Sequence, residues 1–273
     1  MAKKVSNLNF SSAGIDDEGF SYVEYDGLRF HGEKSFDKDK KYYKLLPRYV
    51  RNRLPFECFR TAQDIVIRYV EGGLKYGGPR KHDFYKVKAG DTVAEMGAFQ
   101  GFYALKMCKT VGENGKMIAI EPLKDNLKFL KKNITYNKFE NRCTIVPKGV
   151  WKEQTTLTFK RKTTDHQSGS IVMEKGNEDI SLPVDTLENI MQETHTNACN
   201  MMVIQLNGVE INALKGLNSF YPNNLAIAAR YDQPGVDAVD EITSLLVNRG
   251  YKVNVEEERF IFAALKEGQS NSN

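Results

Sequence analysis

From residue 91 onward, short apolar runs alternate with amphipathic stretches, and this alternation sets the reading of the chain. "TVAEM", "GKMIAIEP", "RCTIVPKGVW", "NMMVIQLNG" and "NLAIAARY" read as strands. Between and after them, "GFYALKMCKTVG", "LKDNLKFLKKNITYN", "VDTLENIMQET", "EINALKGLNSF" and "VDAVDEITSLLVNRG" place apolar residues at helical spacing. Buried strands separated by helices of 10 to 15 residues imply parallel pairing with helices on both faces, an α/β doubly wound sheet. "YKVNVE" and "RFIFAALK", joined by a short acidic turn, read as an antiparallel hairpin at one edge, and the tail "EGQSNSN" as disordered.

Residues 1–89 have a different pattern and predict an α+β amino-terminal extension, a possible substrate-binding cap, ahead of a domain at 90–266 and a tail at 267–273. "FSYVEYDGLRFHG" suggests a strand pair around Gly27, and "PFECFRTAQDIVIRYVEGG" a helix opened by proline and closed by Gly-Gly. Between them, "FDKDKKYYKLLPRYVRNR" interleaves tyrosine with lysine and arginine, a pattern of phosphate or RNA surfaces and, more commonly, of a solvated face.

Composition narrows the class. With 41% hydrophobic and 27% charged residues the chain can bury an ordinary core, and no run approaches a membrane span or the apolar stretch of a signal peptide, so it reads as a cytoplasmic protein. Its four cysteines match neither a zinc pattern nor a CxxC pair and read as reduced, mostly buried thiols. A net charge of +4 permits an acidic or phosphorylated substrate without requiring one.

The candidate chemistry lies in "EMGAFQG", after the first strand of the alternating region, where open parallel sheets bind ligands. Gly97 lets the backbone approach a ligand, and Gly101 lets the next helix pack tightly on the strand. The turn lacks a glycine of the dinucleotide GxGxxG pattern and carries Glu95, which repels a pyrophosphate but suits an ammonium group. Glu121, ending the next strand, suits both hydroxyls of a ribose. Together they describe a nucleoside bearing an amino-acid cation, S-adenosylmethionine. Each acid taken alone also fits an ordinary solvated strand-end carboxylate.

"GDTVAEMGAFQGFYALKM" and "MIAIEPLKDNLKFLKKNI", with "KGVW", "VDTLENI" and "VIQLNGVEINALKGL", resemble the FkbM family of S-adenosylmethionine-dependent methyltransferases over about residues 80 to 265. The resemblance implies a Rossmann-like class I methyltransferase fold with a mostly parallel seven-stranded sheet. It places Glu95, Gly97, Ala98 and Gly101 at the methionine end, Glu121 and Pro122 at the ribose, and Gly149 and Val150 at the adenine edge. Phe99 and Phe102 flank the cofactor, with core packing an equal reading for Phe102. The product would be S-adenosylhomocysteine, and the acceptor a small-molecule or glycan-like hydroxyl, or else a nucleic acid or protein.

After the fourth strand the family has two acids where this chain has Gln205 and Asn207. An amide orients a ligand but is no base near neutral pH. Either the acceptor needs no base here, or another residue supplies it, or transfer has been lost and the chain only binds the cofactor. His166, in the polar connection, is the best replacement base, with an exposed loop histidine the commoner reading. Arg230, at the end of "LAIAAR", suits an anionic substrate or a surface pair with Asp232. The amides also lack the hard anionic oxygens of a magnesium or calcium site, so no metal is expected. Oligomeric state is not legible in the sequence.

Overall fold

The computed structural model describes residues 2–71, 84–161 and 178–266. The extension contains α1 (Ala2–Val5), β1 (Ser12–Ile15), β2 (Ser21–Tyr25), β3 (Leu28–Gly32), α2 (Lys40–Lys44), α3 (Arg48–Arg51) and α4 (Phe59–Ile65). Helix α4 runs on through a π-helical turn, Val66–Val70. β2 and β3 pair around the turn at Asp26–Gly27, as the sequence suggests, and β1 adds an unanticipated third antiparallel strand. The charged stretch at 36–53 contains the two short helices α2 and α3, with Tyr42, Leu45 and Tyr49 exposed and Leu46 and Val50 buried.

The alternating region gives β4 (Thr92–Met96), α5 (Phe102–Val111), β5 (Lys116–Ile120), α6 (Lys124–Tyr136), β6 (Cys143–Val146), β7 (Gly149–Val150), β8 (Thr155–Arg161) and β9 (Glu178–Asp185). After these come α7 (Leu187–Glu193), β10 (Met201–Ile204), α8 (Glu210–Lys215), β11 (Asn224–Ala228), α9 (Ala238–Asn248), β12 (Tyr251–Glu256) and β13 (Phe260–Leu265). Thr186 and Asp237 cap α7 and α9 by accepting bonds from backbone N–H groups of their first turns, at 2.8–3.1 Å.

The main sheet has seven strands in the order β6-β5-β4-β10-β11-β13-β12. All neighbours pair in parallel except β13, which is antiparallel to both β11 and β12. This is the expected doubly wound, mostly parallel sheet with an antiparallel edge hairpin, a Rossmann-like methyltransferase fold. Strand order reverses between β4 and β10, and that switch point opens a crevice at the strands' carboxyl ends.

The stretch "RCTIVPKGVW" is two strands and not one. Pro147 has no N–H to give the ladder, so β6 ends at Val146, and Gly149–Val150 joins a second small sheet in the order β7-β9-β8. The tail at 267–273 and the connection containing His166 lie outside the described residues.

Alternation along the strands sorts the core onto two faces. Val93, Met117 and Ala119 pack with α5 and α6, while Ala94, Met96, Ile118 and Ile120 pack with α7, α8 and α9. The extension belongs to the first face: Val23, Phe30, Phe59 and Ile65 share one apolar cluster with Phe102, Leu105 and Leu130. Two asparagines one turn apart on α6 bind β3 as a neighbouring strand would. Asn133 accepts from the His31 N–H (2.6 Å) and donates to the His31 carbonyl (2.9 Å), and Asn137 repeats this with Arg29 at 2.9 and 2.7 Å. All four cysteines are buried and free. No helix among the described residues is long and apolar enough to cross a membrane.

Candidate active site

The first turn is built by close backbone approach. Gly97 has φ +85°, and a Cβ there would lie 2.3 Å from the Gln205 carbonyl oxygen, so only glycine lets the ends of β4 and β10 come this near. Its N–H and that of Ala98 both donate to the Ile120 carbonyl at 3.0 Å, tying the turn to the end of β5. At Gly101, φ +83°, the missing Cβ makes room for Leu130, 2.5 Å away. Gly101 therefore admits α6 against the start of α5; the expected contact of helix on strand is not what it serves.

The resulting cleft holds about 860 Å³ of space, its open side included. Gly97, Phe99, Glu121, Pro122, Gly149, Val150, Gln205 and Asn207 all line it. Gly149 fits against Val184, whose Cγ1 would lie 2.9 Å from an added Cβ. Ala98 and Gly101 support the turn from behind. Phe102 is fully buried, packed edge-on to Phe30 and Phe99 with centroids 5.8 and 6.3 Å apart, and does not reach the cleft. Of its two readings, core packing is the one observed.

Glu121 is buried and accepts three hydrogen bonds from its own chain. Its Oε1 takes the Leu123 N–H (3.0 Å) and Asn126 Nδ2 (3.2 Å), and its Oε2 takes the Phe99 N–H (2.8 Å). A carboxylate offers about four lone-pair positions, so about one is left, on Oε2, for a ligand. Glu121 thus offers a ligand about one further acceptor position, fewer than the two that the expected pair of ribose hydroxyls would use. Burial pushes its pKa up, while these N–H donors and Arg68 pull it back toward the ionised form.

Glu95 points to the first face, under the extension, as its place between Ala94 and Met96 requires. It is only 2% exposed, and its Oε2 has no hydrogen-bond partner. Burial, with the charge of Glu121, pushes its pKa up to about 8 despite the opposing pull of Arg68. Glu95 is thus a neutral acid beneath the turn near neutral pH, not the solvated anion of the simpler reading.

Arg68 is the residue that sequence patterns missed. It sits in the π-helical turn of the extension, lines the cleft, and stacks its guanidinium 4.3 Å from the Phe99 ring centre. On the opposite side the β8–β9 hairpin, read in the sequence only as a polar hairpin-like region, contributes Leu157, Leu182 and Val184 as an apolar wall. Lys148 also reaches the cleft, but it is paired with Asp185 (3.0 Å) and Glu193 (2.6 Å).

At the end of β10, Glu210 braces the turn by accepting from the Leu206 and Gly208 N–H groups at 2.8 and 2.9 Å. Asn207 and Gly208 both have positive φ there, 55° and 105°. Gln205 lines the cleft, and its side-chain Oε1 is buried and unpartnered. Arg230 does not line the cleft, and its charge acts on Glu210; Asp232, its partner in one of the two readings, pairs bidentately with Arg259 at 2.6 and 3.0 Å. Among the described residues no group of His, Cys, Asp and Glu has the arrangement of a metal site.

The profile of the family described as "Methyltransferase FkbM domain" matches residues 95–253. Solved structures with a similar fold include the FkbM methyltransferase of Methylobacillus flagellatus KT, 16% identical, covering 75% of this chain and 54% of that one, with a TM-score of 0.49. The present chain thus spans about half the length of that protein. Also similar are a SAM-dependent methyltransferase from Aquifex aeolicus (18% identity, 67% and 84% coverage, TM-score 0.37) and a SAM-dependent O-methyltransferase from Thermotoga maritima (15%, 67% and 62%, TM-score 0.35). No curated protein matches the chain. With the family profile spanning more than half of its residues, the chain belongs to the FkbM methyltransferase domain family.

Proposed function

We propose that this chain methylates a hydroxyl group of a small-molecule or glycan-like acceptor, at the Gln205 end of the cleft. Membership in a family of S-adenosylmethionine-dependent methyltransferases implies S-adenosylmethionine as the donor. The residues present fit that molecule on three counts: Gly97 keeps a backbone cradle open, Glu121 Oε2 has room for one ribose hydroxyl, and the buried Glu95 Oε2 lacks a partner beneath the methionine end. Val150, Leu157, Leu182 and Val184 supply an apolar slot for the adenine. When bound, S-adenosylmethionine supplies a methyl group on a positively charged sulfur, activated for in-line displacement.

The observation that carries the choice of acceptor is Gln205, which lines the cleft with a buried oxygen free to accept a hydrogen bond. That oxygen can orient an incoming O–H but cannot take its proton near pH 7. Catalysis here rests on positioning, a role in which orientation alone is worth several orders of magnitude. A second reading, a cofactor-binding protein without transferase activity, draws on the same amides.

Incubating the chain with methyl-labelled S-adenosylmethionine and cell extract, then separating small-molecule, protein and RNA fractions, tests the proposal. Label in the small-molecule fraction supports it; label confined to protein or RNA, or no transfer at all, contradicts it. For the amides, Gln205→Ala is expected to lower turnover by about tenfold or less, with Gln205→Asp leaving the pH profile nearly unchanged. If activity appears only in Gln205→Asp combined with Asn207→Glu, the natural chain is a binding module.

Glu121→Ala is expected to weaken S-adenosylhomocysteine binding by about 2–3 kcal/mol, the scale of hydrogen bonds to a charged group. It removes the ribose acceptor and also the anchor of the Phe99 N–H, the Leu123 N–H and Asn126. Calorimetry showing less than a tenfold change in Kd would mean that another group holds the ribose.

A further inference from the structure

The amino-terminal extension lies outside the residues matched by the family profile, yet it delivers a cation to the cofactor cleft. We propose that Arg68 is the specificity residue for the carboxylate of the cofactor's amino-acid end, so that Arg68 and Glu95 together select a zwitterionic amino-acid group. This rests on the reading of the cleft as an S-adenosylmethionine site.

Charge accounting leads to Arg68. A methionine end presents an ammonium and a carboxylate, and Glu95 is suited only to the first. Among the described residues two cationic side chains line the cleft, Arg68 and Lys148. Lys148 is engaged by Asp185 and Glu193 beside β7, toward the adenine slot. Arg68 forms no ion pair with a described residue, although Asp64, Glu95 and Glu121 all lie near enough to act on it electrostatically when ionised. Desolvation there pulls its pKa below the ordinary arginine value.

Its placement fits the task. The stack on Phe99, between Gly97 and Gly101, holds the guanidinium beside that turn, and a guanidinium is the group suited to a bidentate contact with a carboxylate. Phe99 is itself fixed in a left-handed conformation, φ 55°, by its N–H bond to Glu121. The π-helical turn at Val66–Val70 shifts Arg68 relative to regular α-helical spacing, a distortion that occurs often at functional positions. Asp64 and Arg60, one and two turns earlier, approach each other at 3.5 Å and continue the charged row behind it.

The test is calorimetric binding of three ligands to the full chain and to Arg68→Gln and Arg68→Lys: S-adenosylhomocysteine, its decarboxylated analogue, and methylthioadenosine, which has no amino-acid end. In the unaltered chain, decarboxylation is expected to cost at least about 30-fold in Kd, the range of charge-assisted hydrogen bonds. In Arg68→Gln the affinity for S-adenosylhomocysteine falls by a similar factor, the two amino-bearing ligands bind within about threefold of each other, and methylthioadenosine is unchanged. Arg68→Lys recovers part of the loss. If all three ligands weaken alike, or if decarboxylation costs the unaltered chain nothing, Arg68 has no role in reading the carboxylate. The second comparison needs no variant and holds even if Arg68→Gln fails to fold. Failure of the unaltered chain to bind any of the three overturns the cofactor reading itself, and this proposal with it.

Discussion

Gly97→Ala is expected to destabilise the protein by about 3–5 kcal/mol, the sum of backbone strain and an overpacked contact. The residue sits at φ +85°, and the added Cβ would be 2.3 Å from the Gln205 carbonyl oxygen, an atom of the backbone that no side-chain rotation can move aside. Relief requires β4 and β10 to separate at the switch point, which also opens the cleft floor and removes cofactor binding. Gly90→Ala is the control: φ is +87°, but nothing lies within 4 Å, so strain alone acts there. It is expected to cost about 1–2 kcal/mol. Thermal unfolding should place Gly97→Ala at least about 5 °C below Gly90→Ala; equal melting temperatures would show that the β4–β10 approach is not constrained as described.

The second large effect is on pH. Glu95 faces Arg68, Glu121, Tyr103 and Cys143, and burial raises its pKa to about 8 in the free protein. If it ionises to hold an ammonium group, binding releases a proton wherever the free carboxyl is still protonated. Affinity for S-adenosylhomocysteine should then rise with pH by up to about tenfold per unit from pH 6 toward 8, and flatten above. Glu95→Gln removes this slope.

Stability of the free chain runs the other way. Between pH 4.5, the ordinary glutamate value, and about 8, the folded chain binds more protons at this site than the unfolded chain. Stability is therefore full below that window and is lost as pH rises through it, by an amount of the order of 4 kcal/mol. Glu95→Gln should be more stable than the unaltered chain at pH 8 and nearly equal to it at pH 5. A pH-independent Kd together with parallel stability profiles would mean that Glu95 titrates alike in the folded and unfolded chain and that its ionisation is not linked to binding.

The parts of this site that were legible in the sequence are those set by local pattern. Period-two apolar runs and helical spacing marked every strand of the main sheet, and an acid and two glycines within seven residues marked the first turn. Asn207 and Gly208 stood out because they replace or match a known turn. What was not legible depends on contacts between distant segments. Arg68 reads as one more polar position on an amphipathic helix; it faces the cleft because Asn133 and Asn137 fasten β3 to α6 and so fix how the extension docks. Leu157, Leu182 and Val184 alternate as any half-buried strand does, and nothing local says that Pro147 diverts the chain into a second sheet against the cleft. Phe102, a large apolar residue in the first turn of a helix, has the same signature whether it faces a ligand or Phe30.

The claim on which the rest depends is that S-adenosylmethionine binds at the switch point between β4 and β10. Titration calorimetry of the full chain with S-adenosylhomocysteine at pH 8 tests it most directly. One site per chain with a Kd in the micromolar range, weakened at least about tenfold in Glu121→Ala, is the expected result. No binding at millimolar ligand, or binding that Glu121→Ala leaves untouched, would contradict it.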